Sequence, residues 1–167
     1  MNINKSTRHQ KIIGNLGEYI ICNWLSRSGF EVTLADHTGL DIIAYYNNAE
    51  KKYRIGITVK SRTRHEGTEN SSVYIFSNKS NDRDKLRAAC LAFACEPWIA
   101  VYIETSDDAD IYITSLENYD KYYRKPGRVR DEWYMKKAYK AKYANDDKVN
   151  HIHIDFKAER WEWCWAL

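Results

Sequence analysis

No apolar run in this chain reaches the ~20 residues that a membrane span needs. The polar start, Met1 to Arg8, leads into no secretory hydrophobic segment. These two absences set the expectation of a cytoplasmic protein with no membrane partner. The four cysteines, Cys22, Cys90, Cys95 and Cys164, contain no C-x-x-C spacing, which argues against a structural zinc site and against a disulfide framework. Cys22 and Cys90 sit among apolar neighbours, where a reduced thiol packs as a small hydrophobe. Internal repeats and low-complexity linkers are missing too. The 167 residues therefore read as one domain, 1–167, around a single core.

Charge of one sign is scarce overall. The net charge is +3 at pH 7, too little by itself to indicate a polyanionic partner. With 44% hydrophobic and 29% charged residues, the composition is that of a globular chain and excludes disorder. The small total hides an uneven distribution. Lys121, Arg124, Lys125, Arg128, Arg130, Lys136, Lys137, Lys140 and Lys142 face only Asp131 and Glu132 in their stretch, a local +7 that leaves about −4 for the remainder. The local charge permits nucleic acid where the global charge would not suggest it.

The pattern of apolar residues predicts a helix from Ser6 to Ser28, with Ile12, Ile13, Leu16, Tyr19, Ile20 and Trp24 on one face and Gly29 as its stop. Three strands follow, at Phe30 to Leu34, Asp41 to Tyr46 and Tyr53 to Ser61. Their close spacing favours an antiparallel meander, since a parallel pair needs a long crossover. Val73 to Phe76 reads as a short extra strand. Ser80-Asn-Asp82 reads as a cap for a helix that stops before Pro97, and Trp98 to Ile103 as a buried central strand. Beyond these come a strand at Asp110 to Thr114, a short helix at Leu116 to Tyr123, a basic, aromatic helix at Asp131 to Tyr143 and a strand at His151 to Phe156. The fold class is α/β, with a mixed central sheet flanked by helices.

Four positions stand out for chemistry. Glu18 lies on the first helix away from its apolar stripe, and Gly14, one turn earlier, leaves room for close approach. Asp41 opens the second strand after Gly39-Leu40. On the third strand, period-2 alternation puts Ile55, Ile57 and Val59 on one face and Gly56, Thr58 and Lys60 on the other. Taken singly, Glu18 reads as a solvated helix face, Asp41 as a strand-entry carboxylate and Lys60 as a surface lysine. Their order is what gives them weight.

The segments Gly14-Asn-Leu-Gly-Glu18, Gly39-Leu-Asp41 and Ile57-Thr-Val-Lys-Ser61 resemble the PD-(D/E)XK, or restriction-endonuclease-like, nuclease superfamily, closest in flavour to Holliday-junction resolvases and restriction enzymes. The likeness spans about residues 9–115, an αβββαβ core. Residues 116–167 form a C-terminal aromatic and basic elaboration. The resemblance implies a metal-dependent endonuclease acting on DNA, with Mg²⁺ or Mn²⁺ as cofactor. Asp41 would be a metal ligand, Glu18 an auxiliary ligand or base, and Lys60 the partner of the attacking water or the phosphate. Such an ion takes oxygen ligands and keeps several waters, so one or two carboxylates and a substrate phosphate suffice. Thr58 departs from the pattern, which has an acid or Gln there. The departure leaves open a catalytically inactive nucleic-acid-binding or dimeric interaction domain of the same fold.

Arg62, Arg64 and His65 follow Lys60 directly and either clamp a phosphate backbone or keep a loop soluble. Lys136, Lys137 and Lys140, interleaved with Tyr122, Tyr123, Trp133, Tyr134 and Tyr139, read either as a nucleic-acid groove or as a half-buried helix with a solvated basic face. His151 and His153 share a strand face but lack a third ligand nearby in sequence, which favours an ordinary strand over a metal site. Trp161, Trp163 and Trp165 share a face suited to core packing or a homodimer interface.

Overall fold

The computed structural model describes residues 5–48 and 50–156. The three C-terminal tryptophans and Cys164 lie outside them. Six strands form one sheet: β1 (Glu31–His37), β2 (Leu40–Asn47), β3 (Lys52–Thr63), β5 (Glu96–Glu104), β6 (Asp108–Ser115) and β8 (Asn150–Asp155). Their spatial order is β1-β2-β3-β5-β6-β8. The first three strands are the antiparallel meander read from the sequence, and β3–β5 is the parallel pair. The crossover between them holds a short strand, β4 (Val73–Ser77), and a helix, α2 (Asp82–Ala92). Among the described residues no helix is long and apolar enough to cross a membrane.

Strand alternation divides the core into two layers. Helix α1 (His9–Arg27) lays Ile13, Ile21 and Leu25 on Ile42, Ala44, Ile55, Ile57 and Val59. On the opposite face, α2 contributes Leu86, Ala89 and Cys90 against Ile99, Val101 and Ile103. The α1 face differs from the one expected. The buried stripe is Ile13, Gly17, Ile21 and Leu25 at four-residue spacing, while Ile12, Leu16 and Tyr19 are exposed. The close approach belongs to Gly17, not Gly14. A Cβ at Gly17 would stand 2.2 Å from Ser61 Oγ, whereas one at Gly14 would meet nothing within 4 Å.

The α2 start also differs. Asn81 holds the N-cap position at φ 52° and makes no side-chain cap bond. Asp82 turns back instead and accepts the Ser77 N–H at 3.2 Å. Downstream, the helix expected at Asp131 to Tyr143 is a strand, β7 (Arg130–Trp133), followed by a shorter helix, α4 (Lys137–Ala144). Pairing with β4, Val73 opposite Trp133, overrides the helical reading because it buries Asp131 and Trp133 on alternate positions. Trp133 stacks on Tyr143 with centroids 4.2 Å apart, and Tyr123 packs on both. Most of the aromatic residues expected to line a groove are therefore core.

Helix α3 (Leu116–Tyr122) has the Ser115 side chain as its cap, accepting the Asn118 N–H at 3.1 Å. It brings Asp120 to a buried cluster with α2 and β7. Arg83 donates to Asp120 and, through Nη2, to Asp131 at 2.7 Å, and Arg124 Nε reaches the other Asp131 oxygen at 3.1 Å. Burial alone would lower the Arg83 pKa. The bonds to Asp131 and Asp120 outweigh it and hold the guanidinium charged.

Candidate active site

The site forms where β2 leaves β3. The β2–β3 ladder ends at Ile42 opposite Ile57, but on its other edge β3 stays paired with β5 as far as Thr63 opposite Glu104. One edge of β3 is thus open from Thr58 onward, and its amides need another acceptor. Asp41 supplies it. Its Oδ2 accepts the Val59 N–H at 2.6 Å and the Thr58 hydroxyl at 3.0 Å. Lys60 Nζ donates to Thr58 Oγ1 at 3.4 Å, a long bond. A chain of donors therefore runs from Lys60 through Thr58 to Asp41.

Two packing constraints fix this corner. Gly39 sits at φ +89°, and a Cβ there would meet the Lys85 backbone carbon at 2.7 Å. Only glycine lets the turn before Asp41 close onto α2. Thr58 is 4% exposed, so its hydroxyl is spent inside the site rather than on solvent. Asp41 and Lys60 are half-buried.

Asp41 and Lys60 thus come together on the α2 face of the sheet, with Thr58 between them. Glu18 is half-buried on α1, the helix on the other face, one residue beyond the Gly17–Ser61 contact. Burial first, and then the Glu18 charge, raise the pKa of Cys22. Sequence reasoning passed over Asp82, which it took only for a cap. Burial alone would raise the Asp82 pKa, but bonds from Ser80 and the Ser77 amide, with the charges of Lys85 and Lys60, hold it below the usual carboxylate range. Lys60 therefore stands within electrostatic reach of the α2 start. An acid at a helix start five residues after a strand was the available signal.

The proposed phosphate contacts divide into two groups. Arg62 continues the Lys60 face, and its Nη1 donates to Ser61 O at 2.7 Å. Arg64 Nη2 binds Ser71 O and Ser72 O at 3.0 and 2.8 Å. Lys136 and Lys137 are exposed at the start of α4, and Lys140 Nζ pairs with Asp110 at 3.1 Å. Asp110 is in register with Ile103, which is in register with Arg62. Arg62 and Asp110, the partner of Lys140, are therefore level on the sheet, with backbones about 10 Å apart, two strand spacings.

His151 and His153 have the third partner that sequence proximity could not reveal. Both reach Asp110 Oδ1, at 2.8 and 3.0 Å, while Lys140 holds Oδ2. Burial would raise the Asp110 pKa, but these three donors outweigh it and depress it. Stability from a depressed carboxylate is complete above its unfolded pKa, about 3.9, and is lost as pH falls through the lower folded value. The stability gap between wild type and Asp110→Asn is therefore expected to shrink from about pH 5 to pH 2 in urea unfolding. A gap that stays constant over that range would contradict the assignment.

Among the described residues no group of three His, Cys, Asp or Glu is placed to hold a metal ion. The corner nevertheless suits a hard, oxygen-seeking cation. Asp41 has a second carboxylate oxygen beyond the one bound by Val59 and Thr58, and such an ion keeps most of its waters. Thr58 leaves it one carboxylate short of the pattern.

The order α1-β1-β2-β3-β4-α2-β5 thus places an acid and a lysine at the open edge of the third strand of a mixed α/β sheet. Among solved structures the chain is similar to Hjc, a Holliday junction resolvase from the archaeal hyperthermophile Archaeoglobus fulgidus. The TM-score is 0.52 at 15% identity, covering 75% of this chain and 85% of that one. At this identity the likeness is one of fold. No protein-family model and no curated protein matches the chain.

Proposed function

We propose that the protein is a divalent-metal-dependent endonuclease that hydrolyses DNA phosphodiester bonds at the Asp41–Thr58–Lys60 corner. The observation that carries this reading is the bonded arrangement of those three side chains at the open edge of β3. Asp41 would hold Mg²⁺ or Mn²⁺, which when bound supplies charge for the phosphate and a more acidic water, and Glu18, on the other face of the sheet, would be an auxiliary to it. The Val59 amide and Thr58 hydroxyl hold the Asp41 carboxylate in place. Lys60 supplies a mobile donor whose bond to Thr58 is weak enough to exchange for a phosphate oxygen, where it stabilises developing negative charge. Arg62 and Arg64 hold the strand by its backbone, and Lys136, Lys137 and Lys140 extend that contact across the same face.

A second reading rests on Thr58. Its buried hydroxyl occupies the place of an acid, so the same surface would bind nucleic acid without cutting it. Metal affinity separates the two. In the enzyme reading, Mn²⁺ at about 100 times its Kd raises the melting temperature by roughly 5–10 °C, and Asp41→Asn removes the shift. Melting that ignores millimolar Mn²⁺ favours the binding domain.

A further inference from the structure

A cavity of about 390 Å³ lies between the start of α1 and the end of β3. Lys5, Arg62 and Arg64 line it together with His9, Ser61 and Thr63, and no acidic side chain among the described residues is on its wall. The helix end adds to this charge. α1 has Arg8 at its N-cap without a side-chain cap bond and carries no acid in its first turn, so the partial positive charge of the helix end meets no acidic residue of that turn. Burial, and then the charge of Arg62, lower the pKa of Arg64, as expected for cations crowded together. Two buried polar atoms of lining residues, Ser61 Oγ and Arg64 Nε, have no hydrogen-bond partner, and Ser61 is 7% exposed.

The wall also holds an ordered histidine. Thr63 Oγ1 donates its one proton to Glu104 Oε1 at 2.8 Å, and Tyr102 donates to Glu104 Oε2 at 3.1 Å. The His9 Nε2···Thr63 contact of 2.6 Å must then have His9 as donor, which places a proton on Nε2. Nδ1 is left as the ring nitrogen that can take a proton and donate it to an anion. Glu104 stands 3.9 Å from Nε2 behind Thr63.

We propose that this cavity is a phosphate subsite for a nucleic-acid strand, gripped by Lys5, His9 and Arg62 at the end of β3 beyond Lys60. The inference rests on the nucleic-acid half of the proposed function and not on cleavage. The volume admits a phosphate with part of its sugar. The three contacts bring a cation from the segment before α1, the ring at its first residue and a cation from β3.

The test is binding in EDTA, so that cleavage plays no part. Anisotropy of a labelled DNA oligonucleotide without terminal phosphates is followed against salt for wild type, Lys5→Ala and His9→Gln. The His9 ring resonances are followed with the same oligonucleotide and with inorganic phosphate. Each variant is expected to bind roughly tenfold more weakly. Lys5→Ala should lower the slope of log affinity against log salt by about one. Folded variants with unchanged affinity and slope overturn the subsite and leave the proposed function standing. Should a variant fail to fold, the wild-type ring decides: a His9 shift on adding the oligonucleotide supports the subsite, and no shift overturns it. A shift with inorganic phosphate from a protein that binds no DNA overturns the strand assignment and marks a free-phosphate site.

Discussion

Lys60→Ala is expected to slow phosphodiester cleavage by roughly 10²–10³-fold, the usual effect of removing one preorganised charge from a transition state. The fold should tolerate the change. Lys60 is half-buried at the open edge of β3, and its bond to Thr58, at 3.4 Å, is long and weak. Its charge also acts on Asp82 at the start of α2, so the variant removes a cation from between two acids, Asp41 and Asp82. Binding should change less than rate, because Arg62 and Arg64 remain. Single-turnover nicking of plasmid DNA, with the melting temperature as control, separates the two effects. A folded Lys60→Ala that cuts as fast as wild type would move the chemistry away from β3.

The largest loss of stability is expected from Asp131→Ala, about 3–5 kcal/mol, or a melting temperature lower by roughly 10 °C or more. Asp131 is 3% exposed and accepts from both Arg83 and Arg124. Removing it takes this partner from Arg124 and leaves Arg83, 8% exposed, with only one of its two acids, and a buried charge is costly when under-paired. Arg83 would keep Asp120, and its contact with the Phe76 ring at 4.9 Å, but would lose the partner that ties α2 to β7. The consequence reaches the candidate site, because α2 is what the Gly39 turn packs against before Asp41. Urea unfolding measures the loss. A change below about 1 kcal/mol, the scale of a surface pair, would show that the cluster contributes little.

The meander was legible because each of its strands carries its own period-2 pattern and short polar turns separate them. The parallel strand was legible as an unbroken apolar run, Trp98 to Ile103. Asp41 and Lys60 could be placed on one face by alternation along β2 and β3 together with the order of the motifs. What sequence could not supply was pairing between distant segments. Asp131 to Tyr143 looked helical as a basic, aromatic stretch with no Gly or Pro to break it. Only the partner strand β4, some sixty residues earlier, makes Arg130–Trp133 a strand. The α1 stripe was misjudged for a related reason. Ile12, Leu16 and Tyr19 are as apolar as Ile13 and Ile21, and only Gly17, by letting the helix settle on Ser61, selects the buried side. Asp110 was likewise invisible as a partner of His151 and His153, since it comes from the neighbouring strand.

The Thr58 corner makes one demand that a single assay meets. Wild-type protein is incubated with supercoiled plasmid and with branched DNA in Mg²⁺, in Mn²⁺ and in EDTA, beside Asp41→Asn. The account predicts strand breaks with either metal, none in EDTA, and none from the folded variant. Cleavage that persists in EDTA or in Asp41→Asn, or wild type that holds DNA in a salt-dependent way but never cuts it, would contradict it.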